Sequence, residues 1–206
     1  MSAGIPARPE PYVMREATEK DRLPIEVMLR KRSAWATARN LPASATVPFV
    51  LEMIGRTTPD GARLMVLTED AHLLGCVVVT RRAPVTDGWS GPEMAEPALY
   101  LTAACTRHDT PDPRGRLSSL MTLWTRDHAA RLGLPQLRCS VRAPQVADLL
   151  VASGWKKLRE GENAVLTPVS LLWLTAQSQP GLHRFIADAD TAAPEDGLHN
   201  ADHLVP

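Results

Sequence analysis

The chain has 206 residues, and its 23 Lys and Arg residues balance 23 Asp and Glu residues, so the formal net charge is zero. This length suits one domain with a sizeable core and is barely enough for two. Zero net charge gives no general attraction to nucleic acid or to anionic membranes, and no apolar run approaches the length of a membrane span. We therefore expect a cytoplasmic protein with no nucleic-acid or membrane partner.

The N-terminal half predicts a strand, two helices and a hairpin. Residues 1–11 contain three prolines and no hydrophobic periodicity, so we expect a mobile arm there. A short strand follows, and a helix begins at Thr18, with Asp21 three residues on as in a capping box. The expected bounds are 12–15 for the strand, 18–39 and 46–54 for the helices, and 63–68 and 72–81 for the hairpin strands.

The C-terminal half predicts further strands and a helix, followed by a tail. Residues 83–97 hold three prolines and two glycines, which is typical of a loop. Strands are expected over 136–141, 155–159 and 164–175, with a helix from Pro144 to just before Gly154; Pro168 indicates a bulge or an edge position. Residues 177–206 lack periodicity and predict a disordered tail. The element order predicts one α/β domain over residues 12–176, with a single mixed open sheet flanked by helices.

The cysteines lie far apart, and each is inside an apolar run: Cys76, Cys105 and Cys139. This placement is typical of buried structural thiols and not of a disulfide framework. The histidines of the C-terminal segment have no ligand-like spacing with a partner. The sequence therefore predicts no metal site.

The stretch from Ala98 to Gly133 predicts a buried strand, a polar loop and an amphipathic helix. The loop carries Arg114, Gly115 and Arg116 just before the start of the helix. The first N–H groups of a helix have no intrahelical partner, and the helix dipole adds partial positive charge there. Two interpretations stay open, namely a phosphate site and a capped junction with two solvated arginines.

Two other stretches complete a recognisable pattern. The helix of the central stretch ends in Ala-Ala-Arg-Leu-Gly before the next strand, and Trp155 follows Gly154 after the later helix. With Arg114-Gly115-Arg116, these stretches resemble the Gcn5-related N-acetyltransferase (GNAT) family. In that family a Gln/Arg-x-x-Gly-x-Gly/Ala motif binds the pyrophosphate of acetyl-CoA, and a Gly-Phe pair follows the later helix.

The resemblance implies a GNAT-like acyl-CoA N-acyltransferase fold and direct transfer of an acyl group from acetyl-CoA, as co-substrate, to the amine of a small molecule. It also implies that backbone N–H groups of the fourth strand polarise the thioester carbonyl. The possibility that the protein forms a homodimer stays open. The implied cofactor-binding residues are Ala104, Cys105, Thr106, Arg114, Gly115, Arg116, Leu117, Ser118 and Ser119. For the two serines, ordinary helix capping is the alternative.

Transfer to an amine needs a base that takes a proton from the ammonium, and two catalytic candidates lie near the fourth strand. Tyr100 is on that strand, although a core tyrosine with a satisfied hydroxyl is the alternative. His108 is on the following loop, where a solvated surface histidine is the alternative.

Two departures from the family pattern keep a second function open. Leu150 stands where many members carry the tyrosine that protonates the leaving thiolate, and Leu117 replaces the second small residue of the phosphate motif. The alternative is a catalytically degenerate module that binds CoA or another ligand in a regulatory or sequestering role.

Overall fold

The computed structural model describes residues 12–41, 47–56, 58, 61–109 and 116–188. Its α-helices are α1 (Arg22–Thr37), α2 (Val47–Glu52), α3 (Gly91–Ala95), α4 (Arg116–Arg131) and α5 (Pro144–Ala152). Its strands are β1 (Tyr12–Glu16), β2 (Arg63–Glu69), β3 (His72–Thr80), β4 (Leu99–Thr106), β5 (Gln136–Val141), β6 (Lys156–Glu162), β7 (Pro168–Thr175) and β8 (Ile186–Asp188).

These eight strands form one sheet in the order β6-β7-β5-β4-β3-β2-β1-β8. The pairs β4–β5 and β1–β8 are parallel, and the other neighbouring strands are antiparallel. The prediction of a single mixed open sheet flanked by helices is therefore confirmed.

Alternating side chains give the sheet two apolar faces, as the period of a strand requires. On β2, Leu64 and Val66 pack with α1 and α2, whereas Met65 and Leu67 belong to the core that contains α4 and α5. Helices α1 and α4 therefore lie on opposite faces of the sheet. None of the helices in the described residues combines the length and apolar character that crossing a bilayer requires.

The first helix begins close to the predicted position. The backbone N–H of Thr18 donates to Asp21 Oδ2 at 2.8 Å, and Arg15 pairs with the same carboxylate at 2.7 Å. A 3-10 turn over Glu19–Asp21 precedes α1. This pairing lowers the pKa of Asp21 to about 2, the hydrogen bond from Arg15 being the largest cause.

Two predictions about the C-terminal half of the chain were wrong. Residues 83–97 are not a plain loop, because they contain a 3-10 turn at Val85–Asp87 and the helix α3. Pro168 does not mark a bulge or an edge; it is the first residue of β7, which lies between β6 and β5. A proline is tolerated at the first position of a strand.

The predicted start of the tail was also wrong. Residues 186–188 form β8, which pairs with β1, and Ile186 is buried in the core that contains α4. Asp188 pairs with Arg131 at 2.7 Å. The folded chain thus continues past residue 176, while the predicted arm 1–11 and the rest of the predicted tail, 189–206, lie outside the described residues.

Candidate active site

Strand β4 contains a bulge at its centre. Between the pairs Val78–Thr102 and Cys76–Cys105, β4 advances by three residues while β3 advances by two. The extra residue is accompanied by a φ of +52° at Ala103, in the left-handed region that residues with a side chain rarely adopt. Such strain is stored where the surrounding structure fixes it, commonly next to a functional site.

The parallel strands β4 and β5 separate beside this bulge. They pair only from Leu99–Leu137 to Leu101–Cys139, although β4 continues to Thr106 and β5 to Val141. Beyond Leu101 the two strands therefore diverge and leave a gap in the sheet.

A cavity of about 530 Å³ occupies this gap. Its size lies within the range of small-molecule and cofactor sites. Its walls come from both faces of the sheet, since α1 contributes Trp35 and α4 contributes Met121. All residues from Leu101 to Thr106 line it, including the predicted cofactor residues Ala104, Cys105 and Thr106.

The start of α4 reaches the cavity through Ser118, which lines it together with Thr122. Leu117 is buried in the core that contains α4, so its side chain is used for packing. Arg116 and Ser119 are exposed on the first turn of this helix. Arg114 and Gly115 lie outside the described residues.

Asp87 is the only carboxylate among the described residues that line the cavity. Burial raises its pKa, while a hydrogen bond from Thr86 and the charge of Arg142 act in the opposite direction. The sequence pattern does not single out Asp87, because the composition of residues 83–97 predicts a loop and acidic loop residues are commonplace. The Asp-Gly pair at a turn was the one available signal.

The segment that carries Asp87 is held against the β6–β7 hairpin. Arg159 donates to the backbone carbonyl of Gly88 at 2.9 Å and pairs with Glu93 at 2.7 Å. The backbone N–H of Ala164 donates to the carbonyl of Thr86 at 3.0 Å. These bonds fix the residues on both sides of Asp87.

A buried arginine holds the far end of the same segment. Arg138 of β5 is 3% exposed; it pairs with Glu96 and donates to the backbone carbonyl of Glu93. The two arginines thus anchor the segment to β5 and to β6.

Tyr100, a predicted base, does not line the cavity. It packs edge-on against Trp89, and its hydroxyl donates to the carbonyl of Glu93 at 3.1 Å. Burial raises its pKa, which makes the phenol a poorer base near neutral pH. The folded segment between β3 and β4 covers this tyrosine, so the structure favours the alternative of a core residue.

His108, the other predicted base, lies beside the cavity wall and does not line it. Its ring centroid is 6.2 Å from that of Trp35, which does line the cavity. The neighbouring Asp109 is paired with Arg107 at 2.8 Å.

Two thiols line the cavity but are poor nucleophiles. Burial raises the pKa of Cys105 to about 11, and it raises the pKa of Cys139 further. At pH 7 the Cys105 thiol is therefore protonated, and the thiolate is the reactive form. The expectation of buried cysteines is confirmed, since Cys76, Cys105 and Cys139 are all buried.

The opposite wall is largely apolar. Leu150 lines the cavity, as does Trp155, whose buried indole N–H has no hydrogen-bond partner among the described residues. Val146 and Leu149 of α5 are about half exposed and also line it. No hydroxyl stands at position 150 to protonate a leaving group.

Solved structures share this architecture. They include a GNAT-family acetyltransferase from Listeria monocytogenes 4b F2365, with a TM-score of 0.59 and 16% identity over 80% of this chain and 94% of that one. FeeM, an N-acyl amino acid synthase from uncultured soil microbes, has a TM-score of 0.57 and 14% identity over 87% and 97%. Spermidine N-acetyltransferase from Vibrio cholerae, solved with CoA and spermine, has a TM-score of 0.52 and 12% identity over 81% and 96%.

The chain therefore has the fold of the GNAT acetyltransferases, and the resemblance seen in its sequence is confirmed at the level of the fold. No protein-family model matches the sequence, and no curated protein matches it.

Proposed function

We propose that this protein is an N-acetyltransferase that moves an acyl group from acetyl-CoA to the amine of a small molecule by direct transfer. The observation that carries the proposal is the bulge at Ala103 beside the gap between β4 and β5, which opens the cavity. Further support comes from structural neighbours that are acetyltransferases, one of which was solved with CoA.

Acetyl-CoA supplies an activated thioester. The residues that would hold it are Ala104, Cys105 and Thr106 of β4, Ser118 and its neighbours at the start of α4, and the Arg114-Gly115 pair of the preceding loop. The cavity volume of about 530 Å³ suits a ligand that enters the gap between the strands. Leu117 keeps its place in this set through its position in the first turn of α4, while its side chain is buried in the core.

In the proposed reaction the acceptor nitrogen forms a bond to the thioester carbonyl carbon as the carbon–sulfur bond breaks. Asp87 takes the proton from the acceptor ammonium, directly or through a water molecule. The leaving thiolate needs no phenol at position 150, since a thiol near the ordinary cysteine range leaves tolerably at neutral pH. The second proton, which the nitrogen loses once the carbon–nitrogen bond has formed, passes through solvent to this thiolate and gives the free thiol. The high pKa of the cavity thiols argues against an acyl-cysteine route.

A thiol-release assay over a panel of amines tests the role of Asp87. We expect Asp87→Asn to lower kcat roughly 10²-fold, the lower end for one acid–base group, with the KM for acetyl-CoA unchanged. Because burial raises the pKa of Asp87, the acid limb of the wild-type kcat/KM profile should lie above the ordinary range of aspartate, and it should vanish in the variant. Asp148→Asn, on the exposed side of α5, is the matched control.

Activity of Asp87→Asn within a few-fold of the parent would remove Asp87 as the base. The alternative function, a ligand-binding module without catalysis, is favoured by the leucines at positions 150 and 117, of which Leu150 lines the cavity and Leu117 is buried in the core. Tight CoA binding without thiol release from any amine would select that alternative.

A further inference from the structure

The cavity lining carries more positively than negatively charged side chains among the described residues. Three charged residues line it among the described residues: the carboxylate of Asp87 and the guanidinium groups of Arg32 and Arg142. Among the described residues that line the cavity, positive charge therefore exceeds negative charge.

Arg32 has no carboxylate partner in the described structure. Its guanidinium lies over the ring of Trp35 at 4.4 Å, and both side chains line the cavity. Stacking on an aromatic ring holds the guanidinium plane while leaving its N–H groups available. Arg32 thus places a cation on the cavity wall against an aromatic ring, with no carboxylate partner among the described residues.

Arg32 and Asp87 stand on different sides of the gap. Arg32 is carried by α1, which packs with Cys105 of β4, whereas the residues on both sides of Asp87 are bonded to the β6–β7 hairpin. Helix α1, which carries Arg32, also lies on the face of the sheet opposite α4. Arg32 is therefore placed away from the helix start assigned to the phosphates.

We propose that the acceptor is a zwitterion of the amino-acid type, with its carboxylate bound by Arg32 and its amine directed towards Asp87. This inference rests on the proposed function. A polyamine would bring several positive charges to a wall with one carboxylate and two guanidinium groups, so polycationic acceptors are selected against. A carboxylate instead matches the planar fork of Arg32 in two parallel hydrogen bonds.

The test uses matched acceptors that differ only in the anionic group: leucine, leucinamide and isopentylamine, with spermidine as the polycation. In the thiol-release assay we expect kcat/KM for the amino acid to exceed that for its amide and for the simple amine at least about tenfold. Arg32→Gln should reduce this ratio to about one and leave the KM for acetyl-CoA unchanged. Arg30→Gln, on the same helix and outside this cavity, should keep the ratio, and circular dichroism should show that both variants are folded.

Failure of the inference is distinguishable from failure of the proposed function. If the protein releases thiol with spermidine or isopentylamine at least as fast as with leucine, the acyltransferase stands and the zwitterionic acceptor is wrong. A raised KM for acetyl-CoA in Arg32→Gln would assign the arginine to the cofactor instead, which also overturns the inference. If no acetyl-CoA binds and no acceptor releases thiol, both proposals fall.

Discussion

At the scale of single residues, Ala103 lies at the bulge beside which the cavity opens. Its φ of +52° allows β4 to carry one residue more than β3, and every residue from there to Thr106 lines the cavity. A small side chain tolerates this backbone at moderate cost, whereas a β-branched one is a genuine outlier there. The sequence Ala-Ala-Cys has no glycine to mark the bulge, so inspection of the sequence did not locate it.

Variants of Ala103 test this point. Ala103→Val should lower stability by about 1–3 kcal/mol and weaken acetyl-CoA binding, because the strained backbone is lost or the bulge moves. Ala103→Gly removes the strain without adding volume and should keep near-parental affinity. Chemical denaturation and calorimetric titration measure the two effects. Equal affinity in both variants, with an intact fold, would contradict the role of the bulge.

At the scale of elements, the segment from Val85 to Glu96 positions the proposed base. Arg159 and Arg138 anchor it, and Arg159 lowers the pKa of Glu93 to about 2. A carboxylate with a lowered pKa contributes fully above its ordinary pKa of 4.5 and loses that contribution as the pH falls towards 2. The ion pair between Arg159 and Glu93 therefore stays ionised across the pH range in which Asp87 is titrated.

Gly88 is the tightest point of this segment. Its φ is +87°, and a Cβ there would lie 2.6 Å from the backbone carbonyl oxygen of Glu162. Gly133 also has a positive φ, +71°, but no atom lies near its missing Cβ. Gly133→Ala should thus cost only the conformational strain of about 1–2 kcal/mol, and Gly88→Ala should cost about 1–3 kcal/mol more.

The two glycine variants should also differ in kcat. Gly88→Ala should lower kcat, because the β6–β7 hairpin and Asp87 move apart, while Gly133→Ala should leave kcat unchanged. Urea denaturation and the thiol-release assay provide the measurements. Similar stability and similar kcat in both variants would show that the segment does not depend on this contact.

At the scale of the whole molecule, β8 adds an edge strand to the sheet beyond the predicted end of the domain. Ile186 is 2% exposed and packs with the core that contains α4, whereas the adjacent Phe185 is 64% exposed. A three-residue strand gives too short a pattern for recognition from sequence. Its pairing with β1 is a tertiary contact between residues far apart in the chain.

Alanine substitution distinguishes a packed strand from a loose tail. Ile186→Ala should lower the free energy of unfolding by about 2 kcal/mol or more, because it removes buried methyl groups. Phe185→Ala should change it by less than about 0.5 kcal/mol, as is usual for exposed positions. Comparable small effects in a denaturation experiment would mean that β8 adds nothing to the core.

The sheet and its central unit could be predicted from sequence, since β4 and α4 each carry a long, regular hydrophobic pattern. The base could not. Tyr100 and Asp87 are both near β4 in the fold, but only the path of residues 85–97 decides that the tyrosine is covered and the aspartate lines the cavity. That path depends on Arg138 and Arg159, which come much later in the chain.

The central claim is that the gap between β4 and β5 binds acetyl-CoA, and isothermal titration of the full chain with acetyl-CoA tests it most directly. We predict saturable binding at one site per chain, weakened in Ala103→Val and unchanged in Asp148→Asn. No detectable binding to the folded parent, or equal binding to the parent and to Ala103→Val, would contradict the claim.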